Sequence, residues 1–240
     1  MALRRAAAPA RLLRRLSTTA FAAPGVNYAA HILSFVEAEA RRAPAKAAFI
    51  DTQTGRVTPY GDYAYRVGAA ARGFAAAGVG RGSVVSLHLP NCSEYVVAFT
   101  AIASLGATAT MSNPLYSPTE LAHQLKDSGA RWCVTVAPLA PVVAAAGMPA
   151  AATLVLGTPS GAFLSADVSA GSHALRALPE LATVDAAADV LALPYSSGTT
   201  GLSKGVALSH DNLVSNIEQT KAIGLTSSDV LLGILPLYHI

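Results

Sequence analysis

Charge is scarce in this sequence. Asp, Glu, Lys and Arg together make up only 13% of its 240 residues, about half the usual share for a soluble domain. A coiled coil laced with ion pairs and a charged binding tail are both excluded on that ground. Disorder as the main state is excluded too, because 52% hydrophobic residues and a mean hydropathy of +0.42 are ample for a buried core. Cysteine is nearly absent. Cys92 and Cys133 stand far apart, with no CxxC and no histidine at zinc spacing, so they read as reduced, packed thiols. A single disulfide is the alternative, but nothing else indicates a secreted protein.

Acidic residues are missing altogether from Met1 to Val36. The net charge of +3 comes from that end: Arg4, Arg5, Arg11, Arg14 and Arg15 all lie in the first fifteen residues, and removing them leaves 12 basic against 14 acidic residues, a net of −2. The body therefore carries no clustered basic face, and a nucleic-acid partner is not expected. Arginines mixed with Ala, Leu, Ser and Thr have the composition of an organellar transit peptide, and Arg11, Arg14 and Arg15 interrupt every apolar run before Leu16 that a secretory signal would need. Residues 1–25 are expected to be such a leader, with a mitochondrial address first and plastid or peroxisome as alternatives. A plain Arg/Ala tail is the blander possibility.

Two uncharged stretches, Tyr95–Thr119 and Trp132–Ala166, are long enough to suggest membrane spans. Pro138, Pro141, Pro149 and Pro159 break the second, and Ser104, Gly106, Thr108, Thr110 and Ser112 make the first a poor span. Helices and strands buried in protein account for both, and no membrane span is expected.

The chain after the leader alternates. Helices are expected at 31–42, 60–77, 93–105, 119–127, 141–146 and 211–223, and a small hairpin at 47–57. Strands are expected at 84–89, 108–111, 132–135, 153–156, 190–195 and 206–209, with an irregular excursion over 157–188. Short apolar strands separated by helices predict an α/β fold, a doubly wound, mostly parallel sheet with helices on both faces. Ser117-Pro118-Thr119-Glu120 is a capping box with proline at the first helical position. The glycines at 78, 80 and 82 spell GxGxG, but they follow a helix. A dinucleotide loop must follow a strand and open a helix, so a C-cap and turn is the better reading.

The most informative segment runs from Ser196 to Gly205, SSGTTGLSKG. Glycine lets the backbone turn its N–H groups toward one point, hydroxyls add donors without bulk, and lysine brings a mobile positive charge. These are the parts of a polyphosphate cradle. The P-loop pattern GxxxxGK[ST], counted from Gly198, needs Gly at 203 and Ser or Thr at 205. The chain has Ser203 and Gly205, and Lys204 runs on into a strand instead of opening a helix. A phosphate loop between two strands is expected, the competing possibility being a flexible polar hairpin tip.

SSGTTGLSKG resembles the signature of the acyl-adenylate-forming, or AMP-binding, enzymes, which include acyl-CoA synthetases, 4-coumarate:CoA ligases, luciferases and peptide-synthetase adenylation domains. The resemblance extends to LPNCSEYVVAFTAIASLGA (89–107), SNPLYSPTELAHQLKDSGA (112–130), VALSHDNLVSN (206–216) and LPLYHI (235–240), in that order. Asn113-Pro114-Leu115-Tyr116 and Leu193-Pro194-Tyr195 look most like the 4-coumarate:CoA ligase branch.

The resemblance implies ATP-dependent conversion of a carboxylic acid to acyl-AMP and then to an acyl-CoA thioester, by an AMP-forming acid–thiol ligase with ATP, Mg2+ and coenzyme A. It implies that Ser196, Ser197, Gly198, Thr199, Thr200, Gly201 and Lys204 contact the ATP phosphates. Tyr238 and His239 would line the acyl pocket, His239 beside the reacting adenylate; His31, His88, His123, His173 and His210 are left as structural. Ser203 departs from the family, where many relatives have proline, and is expected to loosen the loop. Gly82-Ser83, where relatives often have glycine then aspartate, lies at a surface turn of little consequence.

The family's full length is roughly twice this, so residues 26–240 are expected to be the N-terminal part of an AMP-binding domain. The magnesium ligands and the C-terminal domain would lie past Ile240, the 240 residues alone would be inactive, and the cut sheet would leave an unpaired edge and uncovered apolar surface. The alternative is a non-catalytic fragment with at most weak nucleotide binding.

Overall fold

The structure, a computed structural model, describes residues 25–52, 54–165, 180–196 and 203–239. Helix α1 (Tyr28–Arg42) starts three residues earlier than its apolar pattern suggests. The Asn27 side chain caps it by accepting from the Ala29 N–H at 2.8 Å. Ala29, Leu33, Val36 and Ala40, spaced three and four apart, form its buried stripe. Strands β1 (Ala47–Ile50) and β2 (Val57–Pro59) make the expected hairpin, a separate two-stranded sheet.

Helix α2 (Tyr60–Ala76) follows, and its end settles the GxGxG question. Gly78 has φ +86°, the Val79 N–H returns to the Phe74 carbonyl at 2.9 Å, and Gly82 has φ +80°. This is a C-cap and turn.

The alternation then builds the main sheet: β3 (Val84–His88), α3 (Ser93–Ser104), β4 (Thr108–Met111), α4 (Pro118–Ser128), β5 (Trp132–Val136), α5 (Ala140–Ala145) and β6 (Thr153–Leu156). A 3-10 helix, Pro159–Leu164, opens the irregular excursion. Strand β7 (Val190–Ser196), β8 (Lys204–Gly205), β9 (Leu208–Ser209) and helix α6 (His210–Thr220) close the chain.

The order β6-β5-β3-β4-β7 is parallel throughout, whereas β8 and β9 pair antiparallel with β7. The expected mostly parallel α/β sheet is therefore present. Neighbouring residues of β5 face opposite layers: Val134 joins the core beneath α1, α2 and α3, and Cys133 the smaller core with Leu121, Leu125, Val143 and Met148 of α4, α5 and the loop after α5.

Both cysteines are free, and burial pushes the Cys92 thiol up to about 11 and the Cys133 thiol up to about 12, which keeps them unreactive. Among the described residues no helix is long and apolar enough to cross a membrane.

Strand 206–209 and helix 211–223 differ from expectation. The strand is split, with Lys204–Gly205 and Leu208–Ser209 as separate short pieces. Pro194 explains the break: the Val206 N–H reaches its carbonyl at 2.8 Å, but proline has no N–H to return the second bond of the pair. The helix begins at His210, capped by Ser209, and leaves α-geometry after Thr220 for a 3-10 turn over Lys221–Ile223.

Four segments meet at one buried ion pair. The Arg66 guanidinium of α2 donates to Glu94 of α3 at 2.6 Å, to Thr58 of β2 at 3.3 Å and to the Leu164 carbonyl at 3.3 Å, and Arg56 closes on the same carboxylate from outside. Burial works to raise the Glu94 carboxyl, but the bonds and charges of Arg56 and Arg66 outweigh it and hold it below its usual range. Removing one partner leaves a buried, uncompensated charge. Glu94→Leu is therefore expected to cost about 3–5 kcal/mol in urea denaturation; a loss within experimental error would show that the ion pair organises nothing.

At the carboxyl end of β3, the His88 ring is fully buried with Nδ1 3.1 Å from the Ser112 hydroxyl, and burial lowers it from 6.5 to about 4. Its folded value lies below its unfolded one, so the unfolded chain binds more protons between pH 6.5 and 4. The stabilisation is complete above pH 6.5 and lost as pH falls toward 4. Thermal melts at pH 7 and pH 5 are expected to show a smaller drop for His88→Gln than for the wild type, and equal drops would refute this role.

Candidate functional site

Parallel register decides where β7 leaves the sheet. Ala192, Leu193 and Pro194 pair with Ala109, Thr110 and Met111 of β4, so the chain exits at the carboxyl edge, the end where ligands bind in open α/β sheets. Tyr195 and Ser196 overshoot that edge and pair with the returning strand, Tyr195 with Gly205 and Ser196 with Lys204. Ser196 and Lys204 thus face one another across an antiparallel pair at the base of the loop, both exposed to solvent. Ser197, Gly198, Thr199, Thr200 and Gly201 lie outside the described residues.

The stem of this hairpin is held by chemistry far away in sequence. The Tyr195 ring lies across Gly205, where an added Cβ would sit 3.1 Å from two ring carbons. A side chain there would press on the ring, which would have to give by a few tenths of an ångström. The Tyr195 hydroxyl then donates to Asp127 on α4 at 2.6 Å. Burial is the main cause that raises the Tyr195 hydroxyl above its ordinary value, and the Asp127 carboxylate adds to it. On the other leg, the Ser203 carbonyl lies 3.2 Å from Nε2 of His123, also on α4. A carbonyl can only accept, so Nε2 carries the proton in that contact.

Helix α4 is itself tied to the sheet. Gln124, fully buried, donates to the Thr110 hydroxyl at 2.8 Å and to the Met111 carbonyl at 3.0 Å, and the Thr110 hydroxyl donates in turn to the Leu193 carbonyl of β7 at 2.8 Å. The sequence carried no signal for the Tyr195–Asp127 and His123–Ser203 contacts, whose partners are 68 and 80 residues apart.

Tyr238 and His239 arrive by a different route. The chain after α6 is apolar and uncovered, with Val230, Leu231, Leu232, Ile234 and Leu235 between 70% and 85% exposed. Asn91, in the loop after β3, catches its end: the side-chain N–H reaches the Leu235 carbonyl at 2.8 Å, and the side-chain oxygen accepts from the Leu237 N–H at 2.9 Å. An amide bonded both ways mimics a neighbouring strand. Strand β3 is where the order reverses, with β4 on one side and β5 on the other, so the pair is delivered to the same carboxyl edge as the hairpin. Tyr238 packs half-buried against the core, and His239 is exposed. His210 is structural: its Nδ1 accepts from the Tyr28 N–H at 3.0 Å at the start of α1.

The chain is 42% identical over 201 residues to 4-coumarate–CoA ligase 5 of Oryza sativa subsp. japonica, covering 81% of this chain and 36% of that protein. It is 34% identical to 4-coumarate–CoA ligase 4 of Arabidopsis thaliana, covering 80% of this chain and 35% of the relative. The chain thus spans about a third of the length of the curated relatives it matches. Its fold superposes on a long-chain-fatty-acid–CoA ligase from Archaeoglobus fulgidus with a TM-score of 0.72 at 26% identity, over 90% of this chain and 44% of that one. The family model of the AMP-binding enzyme matches residues 36–240, and the chain belongs to that family.

Proposed function

We propose that this chain forms the ATP-phosphate-binding part of a carboxylic acid–CoA ligase. In the reaction, a substrate carboxylate oxygen attacks the α-phosphorus of ATP and expels pyrophosphate, and the thiolate of coenzyme A then displaces AMP to leave the thioester. The electrostatic difficulty is bringing one anion to another, so donors fixed in advance around the phosphates do most to lower the barrier. The observation that carries the proposal is the register setting the Ser196 hydroxyl opposite the Lys204 ammonium, at the two feet of a loop whose sequence is hydroxyls and glycines.

Ser196, Ser197, Gly198, Thr199, Thr200, Gly201 and Lys204 would surround the triphosphate. Tyr238 would wall the acyl group, and His239 would stand beside the carboxylate. Magnesium, when bound, would offset phosphate charge. Among the described residues no three His, Cys, Asp or Glu side chains gather to hold it, and no step is assigned to it. Hydroxycinnamates are the first substrates to test, on the strength of the two 4-coumarate–CoA ligases named above, and fatty acids the second.

A replacement experiment tests this reading. With residues 36–240 substituted for the matching segment of the rice relative, the hybrid is expected to show carboxylate-dependent ATP–pyrophosphate exchange, and Lys204→Ala to lower it about 100-fold with little change in melting temperature. Equal exchange with and without Lys204 would remove the phosphate role.

A second reading, a non-catalytic piece with at most weak nucleotide binding, rests on the uncovered apolar run at 230–237. On that reading the hybrid carrying residues 36–240 gives no carboxylate-dependent exchange, so the same assay decides.

For the leader, we propose a mitochondrial address. Residues 1–25 fused to a fluorescent reporter are expected to deliver it to mitochondria, and Arg14→Gln with Arg15→Gln to weaken delivery. A plastid, peroxisomal or cytosolic reporter would overturn it.

A further inference from the structure

Helix α4 touches both feet of the hairpin, and the two contacts come from residues four apart, which share one face of a helix. Asp127 holds the Tyr195 hydroxyl on the outgoing leg at 2.6 Å, and His123 holds the Ser203 carbonyl on the returning leg at 3.2 Å. The residue beside His123 is Gln124, whose amide is buried in the sheet on Thr110 and Met111. A grip on a loop positions it only if the gripping element is fixed, and Gln124 supplies that.

We propose that α4 is the brace of the phosphate-loop hairpin. Asp127, acting through Tyr195, and His123, acting through Ser203, are positioning residues that hold the two legs and thereby set where Ser196 and Lys204 meet the phosphates of ATP.

This rests on the nucleotide reading above and adds residues to it. Neither Asp127 nor His123 touches the nucleotide; each works through a partner. The Asp127 contact involves an ionised acceptor, and it is the stronger tie. The His123 contact has an uncharged carbonyl as acceptor and is longer. Gly205 belongs to the same device, because its missing side chain lets the Tyr195 ring cross the hairpin and reach α4.

Two measurements on the 240-residue protein test the brace and separate its failure from that of the nucleotide reading. The first is amide hydrogen exchange without ligand, which reports local opening. Tyr195→Phe removes only the hydroxyl, and His123→Leu removes the ring with its donor, the His123→Gln variant controlling for the change of shape. Each is expected to speed exchange at 195–196 and 203–206 about tenfold while the amides of β3 and β5 keep wild-type protection. His123→Gln, whose side-chain N–H can reach the same carbonyl, is expected to restore slow exchange. The second is MgATP affinity, expected to fall about fivefold in Tyr195→Phe and His123→Leu and to recover in His123→Gln.

Unchanged hairpin exchange with an intact sheet would overturn the brace, whatever the nucleotide does. Faster exchange with wild-type MgATP affinity would overturn its role in placing Ser196 and Lys204. If neither the wild type nor Lys204→Ala binds MgATP, the nucleotide reading falls with the placing role, while the exchange data still decide whether α4 holds the stem.

Discussion

The site depends on one register. Because β7 lies parallel beside β4 with Met111 opposite Pro194, Tyr195 and Ser196 project past the carboxyl edge of the sheet. A shift by one residue would turn every side chain of β7 to the other face, burying Ser196 or exposing Leu191. The register is set from both sides. Leu191 and Ala192 are buried in the core, and Thr108 and Thr110 of β4 donate to the Val190 and Leu193 carbonyls at 2.6 and 2.8 Å. These hydroxyl bonds reinforce the backbone ladder where slippage would move the loop.

Proline makes that arrangement stop where it does. Pro194 accepts from Val206 but cannot donate back, so the antiparallel partner of β7 is interrupted there and the hairpin above it is a short, separate stem. Two paired positions alone are marginal. The stem needs outside support, and α4 lies beside it because Gln124 is locked to the end of β4. One buried amide thus connects the register of the sheet to the posture of the loop.

Most of the architecture could be read in advance because its causes are local. Strands 108–111 and 153–156 have the expected bounds, since each is a short apolar run closed by glycine or a polar turn. The capping box at Ser117 and the cap beyond α2 are also local, each set within a few residues. What escaped is non-local. Nothing near Arg66 announces Glu94, and nothing near Tyr195 announces Asp127. Pairs of this kind come from the packing of elements, which no window of a dozen residues contains. The feet of the loop, Ser196 and Lys204, were recognisable from residue type; the face of α4 beneath them was not.

Ser203 joins the two kinds of information. The resemblance to the family signature leads one to expect proline at 203, and a serine there frees φ and should let the returning leg wander. In this fold the Ser203 carbonyl is tied to His123. A tie on the carbonyl restrains the peptide plane that leads into Lys204, the residue whose position matters. The free φ of Ser203 is thus met by a non-covalent restraint on the peptide bond that follows.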